Sequence, residues 1–180
     1  MKGAPARLLA AMLFLASALA QAQSEPVTES SVKAAFLYKF AGYIDWPASG
    51  FSGPGAPFVI GVLRDEAVAS ALARLVPGRS VAGHPVAVRA LKPGEAARGV
   101  HLLLVGGEDP DPATIRAAEG QGALVVTESP RGLAAGSAIN FVIADGHVGF
   151  EVSMDAAQRS GHRISARMLS VARRVVQKGD

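Results

Sequence analysis

The chain has 180 residues, 49% of them hydrophobic and 18% charged, with a formal net charge of +3. That balance excludes a disordered chain, and the length suffices for one domain with its own core. There is no cysteine, which excludes disulfides, thiolate metal sites, cysteine nucleophiles and thiol redox sensing.

Lys2 and Arg7 open the sequence, Leu8 to Leu19 is an apolar run, and Ala18-Leu19-Ala20 and Ala20-Gln21-Ala22 are small-x-small sites. This is the layout of a secretory signal peptide over residues 1–22. The apolar run is shorter than the about 20 residues a spanning helix needs. Cleavage near Ala22 would remove two of the 18 basic residues and leave 16 against 15 acidic ones. The exported chain would be nearly neutral, so its basic character is no nucleic-acid signal. Residues 23–29 read as a linker, and 30–178 as the folded domain.

Ser30 to Tyr43 reads as a helix, with Val32, Ala35, Phe36, Phe40 and Tyr43 on one face and Leu37 and Ile44 widening it. Lys39 projects into that arc, either snorkelling its stem across the core edge or meeting a buried partner group. Trp46-Pro47 ends the helix. Phe58–Leu63 reads as a buried strand, and Asp65 as the cap of a helix over Glu66–Val76. Val86–Leu91 reads as a strand, with a short extended arm at Val81 before it. His101–Val105 and Ala123–Thr127 are further buried strands, separated by a helix over Pro112–Glu119. Strands alternating with helices predict an α/β domain with a mainly parallel sheet. Ala138–Ala144, Asp145-Gly146 and His147–Ser153 form an antiparallel hairpin signal, at an edge or on a second small sheet. A short helix over Met154–Ser160 follows. Ser165 then caps a terminal helix over Ala166–Val176, with Ile164 and Leu169 as its hydrophobic staple.

Catalytic motifs are missing: there is no Gly-x-Ser-x-Gly, no Walker loop and no Gly-x-Gly-x-x-Gly. His84, His101, His147 and His162 form no His-x-x-x-His pair and read as surface or strand-end residues. Glu108, Asp109 and Asp111 read as a solvated loop at the carboxyl end of a strand, where α/β sheets bind ligands. No enzyme activity, cofactor or metal is expected. Arg167, Ser170, Arg174 and Lys178 would form a basic stripe on the terminal helix, either a solvated face or a contact for an acidic partner. Trp46 is a core plug or a partner anchor. Glu151 would face away from Phe150 and Val152 and pair with Arg163 or Arg167.

Three stretches resemble one family. They are Val32-Lys33-Ala34-Ala35-Phe36-Leu37-Tyr38-Lys39-Phe40 with Tyr43-Ile44-Asp45-Trp46-Pro47; Ile139-Asn140-Phe141-Val142 running through Gly146 to Val148-Gly149-Phe150-Glu151-Val152; and Ala156-Ala157 to Gly161 with Ile164-Ser165-Ala166-Arg167-Met168-Leu169. Their order and spacing resemble the YfiR family of periplasmic regulators. The resemblance implies an exported α/β protein that represses a membrane diguanylate cyclase through that enzyme's periplasmic sensor domain, in cyclic-di-GMP signalling. It implies an envelope lipoprotein as a second partner, and a homodimer stays open. The redox control of the family's best-known member has no counterpart in a chain without cysteine. The residues singled out for partner or ligand binding are Trp46, Lys39, Asn140, Glu151, Arg167 and Arg174. A periplasmic small-ligand sensor or carrier is the alternative reading, and a hydrolase with an unrecognised site the weakest.

Overall fold

The computed structural model describes residues 28–177. The expected signal peptide, most of the linker and Lys178 lie outside the described residues. Helix α1 (Glu29–Tyr43) starts within the segment expected as linker, because Thr28 caps it: Thr28 Oγ1 accepts from the Ser31 N–H at 3.2 Å. Two-residue strand β1 (Ile44–Asp45) and a 3₁₀ turn over Ala48–Gly50 follow. Then come β2 (Phe58–Leu63), α2 (Glu66–Leu75), β3 (Ser80–Val81), β4 (His84–Leu91) and β5 (Leu102–Val105). After these lie α3 (Pro112–Glu119), β6 (Leu124–Thr127), α4 (Gly132–Ala135) and the hairpin β7 (Ile139–Ala144) and β8 (His147–Ser153). The chain closes with α5 (Met154–Arg159), β9 (Arg163–Ile164), α6 (Ala166–Leu169) and β10 (Arg174–Val176).

Asp65 and Asp111 cap α2 and α3, their carboxylates accepting from Val68 N and from Ala113 and Thr114 N. Asp111 therefore belongs to a helix start and not to a solvated acidic loop. Asp145 and Gly146 both have positive φ (54° and 72°), as a type I′ hairpin turn demands.

The main sheet has eight strands in the order β10-β8-β7-β6-β5-β2-β4-β3. The run β4-β2-β5-β6-β7 is parallel, β8 is antiparallel to β7, and β10 is parallel to β8. The hairpin is thus part of the main sheet. The small second sheet is β1 with β9, Ile44 opposite Ile164. One face of the main sheet (Phe58, Ile60, Leu102, Leu104, Leu124, Val126, Ile139, Phe141, Phe150, Val152) is covered by α1, α2, α5 and α6. The other (Leu91, Leu103, Val105, Val125) is covered by α3 through Ile115 and Ala118. Strands buried on both faces read as continuous apolar runs, which is how their sequences look.

Two expectations fail. The buried face of α1 is Lys33, Ala34, Leu37, Phe40 and Ala41. Of the residues expected there, Phe40, Leu37 and Ile44 are in the core, Val32, Ala35 and Phe36 are half-buried, and Tyr43 is exposed. α1 is apolar nearly all round, so periodicity alone does not choose its inner face. The expected helix over Ala166–Val176 stops at Leu169 after one turn. Arg173 N–H then donates to Phe150 O at 2.8 Å, and the chain continues as β10 beside β8. Pairing to an open strand overrides a weak helical pattern in a β-branched segment.

Candidate functional site

The outward side of α1 presents Val32, Ala35, Phe36, Lys39 and Tyr43. Two shallow grooves of about 290 and 190 Å³ run along it and share Phe36 and Lys39. The second reaches α6 and the turn after it, through Arg167, Met168 and Val171. Tyr43 is 38% exposed and Val171 68%. Lys39 and Arg167 are exposed and form no ion pair with any described residue. The result is an apolar strip framed by two uncommitted cations, held by Phe36 on a rigid aromatic base. Phe36 lies 5.7 Å from Phe40, 6.1 Å from Phe141 and 5.7 Å from Phe150, ring centre to ring centre.

The expected site residues do not converge. Lys39 neither snorkels into the core nor meets a buried group; it joins Arg167 around the strip. Arg167 does not pair with Glu151. Arg174 stands on β10 and not on a helix, where its guanidinium grips Glu151 by two hydrogen bonds of 2.8 and 3.1 Å. The basic stripe therefore does not exist as a helical face. Glu151 does face away from buried Phe150 and Val152, as alternation requires. Trp46 is a half-buried plug: its indole N–H donates to Ala41 O at 2.7 Å, and its ring stands edge-on to Phe58 and His162, both at 4.8 Å. Asn140 is 2% exposed, and its Oδ1 accepts from Thr127 Oγ1 (2.8 Å) and Ser129 N (3.1 Å).

Two buried polar constellations escape sequence reasoning. Lys33, not Lys39, is the buried lysine of α1. Its ammonium donates to Glu128 at 2.6 Å and contacts Glu29 at 2.5 Å, one helical turn back. The second Glu128 oxygen accepts from Gly107 N. Burial draws the Lys33 pKa down, but the two carboxylates outweigh it and the net displacement is upward. The i, i+4 spacing of Glu29 and Lys33 was a visible signal; Glu128, 95 residues away, was not.

The other constellation gathers three of the four histidines. His84, Phe51 and His101 stack in sequence at 3.8 and 4.5 Å, Phe58 lies 4.9 Å beyond His101, and Trp46 and His162 close the series. Among the described residues no three His, Asp or Glu side chains are placed to hold a metal. His101 is structural. Its Nδ1 accepts from Val59 N at 3.1 Å, which fixes the proton on Nε2, facing Gly50 O at 3.2 Å. Burial lowers the pKa of both His101 and His162, with a like-charge contribution from the neighbouring imidazole. The folded state therefore holds both rings neutral below the pH at which the unfolded chain, near about 6.5, takes up protons. Their contribution to stability is full above that pH and is lost as pH falls toward the depressed folded-state values. Urea melts at pH 7.5 and 5.5 should show a lower midpoint in acid, and His101→Gln should flatten the difference. An acid dependence unchanged by His101→Gln would remove this role.

With the geometry in hand, comparison with known families decides the affiliation. Residues 30–173 match the family described as YfiR/HmsC-like. The chain belongs to that family. The match covers α1 through α6, so both the half-exposed strip on α1 and the hairpin lie within the YfiR/HmsC-like domain. No curated protein matches the chain. No described helix is long and apolar enough to cross a membrane.

Proposed function

We propose that this YfiR/HmsC-like chain is a periplasmic regulatory binding protein. It represses or modulates an inner-membrane signalling enzyme of the diguanylate cyclase type by engaging that enzyme's periplasmic sensor domain. Family membership supports the regulatory theme. The observation that carries the binding reading is the outward strip of α1. Val32, Ala35, Phe36, Tyr43 and Val171 offer apolar area, and Lys39 and Arg167 offer cations with no ion-pair partner among the described residues. An apolar centre with a charged rim is the anatomy of a protein contact, and unpaired rim cations select an acidic partner and speed its approach.

The test is in cells. Loss of the protein is expected to raise cyclic-di-GMP. Wild-type protein should restore the basal level, whereas Val32→Glu with Lys39→Glu should not, although it accumulates with an unchanged thermal melt. Equal cyclic-di-GMP in all three strains would refute the proposal.

A further inference from the structure

The hairpin strand β7 outruns its neighbour β6. Their last paired residues are Thr127 and Asn140, whereas β7 continues to Ala144. Which peptide groups are then left open follows from register. Ser153 N–H donates to Ala138 O at 2.8 Å with Ile139 opposite Val152. Asn140, Val142 and Ala144 therefore turn their peptide groups toward β8, and the odd-numbered residues turn theirs away. Thr127 Oγ1, 3.5 Å from Ile139 O on the β6 side, agrees. Beyond the end of β6, the carbonyl of Phe141 and both peptide groups of Ile143 face outward with no strand of the described residues beside them. None of the described backbone hydrogen bonds outside the ladders reaches them.

This open edge borders a groove of about 390 Å³ lined by Glu29, Lys33, Glu128, Pro130, Asn140 and residues 141–143. Asn140 supplies a second, independent feature. Ser129 N–H can only donate, so it fixes the amide oxygen on its own side. The Asn140 NH₂ is left with two donors, and no described residue accepts from them, though the residue is 2% exposed. The NH₂ is not among the fully buried groups without a partner, so its donors open into the groove, where an acceptor from outside can take the place of water. Ile143, 54% exposed, adds apolar area beside them. The groove's charges are two carboxylates, Glu29 and Glu128, against one ammonium, Lys33.

We propose that this edge takes an extended peptide segment of a partner protein by strand addition, in the place β6 vacates. Its backbone pairs with Phe141 O and Ile143 N–H and C=O, a carbonyl of the segment accepts from the Asn140 amide, and its side chains are apolar toward Ile143 and basic toward Glu29 and Glu128. The site is separate from the α1 strip and stands whether or not that strip binds a sensor domain.

The experiment is amide NMR on the protein with a defined probe, the capped pentapeptide Thr-Val-Thr-Lys-Thr, whose Val and Lys share one face of a strand as Ile143 and Glu29 share the α1 side of the sheet. In the free protein the Ile143 amide should exchange fast while those of Val142 and Ala144 are protected. Probe addition should shift and protect Ile143. Methylating alternate backbone nitrogens of the probe should abolish the effect, and replacing its Lys by Glu should weaken binding at least about tenfold, a loss of about 1.4 kcal/mol. Ile143→Pro removes only the outward donor and should eliminate binding with the β7–β8 ladder intact. Asn140→Asp keeps the acceptors for Thr127 and Ser129 but loses the NH₂, and should weaken it. The proposal is overturned by an Ile143 amide already protected in the free chain, which would mean that the chain's own residues or a second copy cover the edge. It is equally overturned by probe shifts that ignore backbone methylation or Ile143→Pro.

Discussion

Replacing Phe40 with alanine is expected to lower the free energy of unfolding by about 3–5 kcal/mol, the cost of removing a large aromatic from a packed core. Phe40 is 2% exposed, and its ring lies 4.8 Å from Phe150 and 5.7 Å from both Phe141 and Phe36. It is the residue through which α1 locks onto the hairpin, so the void would sit where the helix meets β7 and β8 and could not close without moving one of them. Tyr43→Ala, on the outward side of the same helix, should cost less than about 1 kcal/mol. Phe36→Ala should fall between the two, because its ring joins the aromatic group while one edge meets solvent. Urea denaturation of the three variants checks the order. A Phe40→Ala chain as stable as Tyr43→Ala would mean that α1 does not sit on the sheet through this face.

The second large effect concerns Lys33. Lys33→Met should cost several kcal/mol, toward the lower end of the about 3–5 kcal/mol seen when one partner of a buried pair is removed. The Glu128 carboxylate would then keep only its hydrogen bond from Gly107 N–H. Removing both charges, Lys33→Met with Glu128→Met, should recover much of the loss, since an apolar pair needs no desolvation of ions. Glu29→Ala should be nearly silent, because that carboxylate is half exposed and its pair is of the surface kind. A double-mutant cycle by chemical denaturation reads the coupling directly. If the double variant were as damaged as Lys33→Met, the pair would be stabilising in its own right and not merely a satisfied burial.

Much of the fold was legible because its strands are buried on both faces. Phe58–Leu63, His101–Val105 and Ala123–Thr127 carry no alternation to misread, and the Asp65 cap and the Asp145-Gly146 turn state their geometry locally. The errors share a different cause. Around α1, Val32, Phe36, Phe40 and Leu37 cover one side and Ala34, Ala35, Tyr38 and Ala41 continue round the other, so the true inner face, which begins with Lys33, was hidden by better-looking apolar alternatives. At the C-terminus, Arg167, Arg174 and Lys178 suggested a helical stripe, but Val175-Val176 and the open edge of β8 favour a strand. The site was less legible than the fold. Lys33 meets Glu128, and His84, His101 and His162 meet Phe51 and Trp46, only because the parallel sheet brings distant strand ends together. Nothing local marks such encounters. Trp46 proves to be a core plug, and Asn140 lies beside a groove at the hairpin edge, placements that neither residue's sequence neighbours reveal.

The regulatory account is tested most directly by photo-crosslinking in intact cells, with the crosslinking residue placed at Lys39 on the α1 strip and, as a control, at Arg116 on α3, which covers the opposite face of the sheet. The account predicts that the Lys39 position captures the periplasmic domain of an inner-membrane signalling enzyme, that Val32→Glu in the same chain abolishes the product, and that Arg116 yields none. Identical products from both positions, or a Lys39 product that survives Val32→Glu, would contradict it.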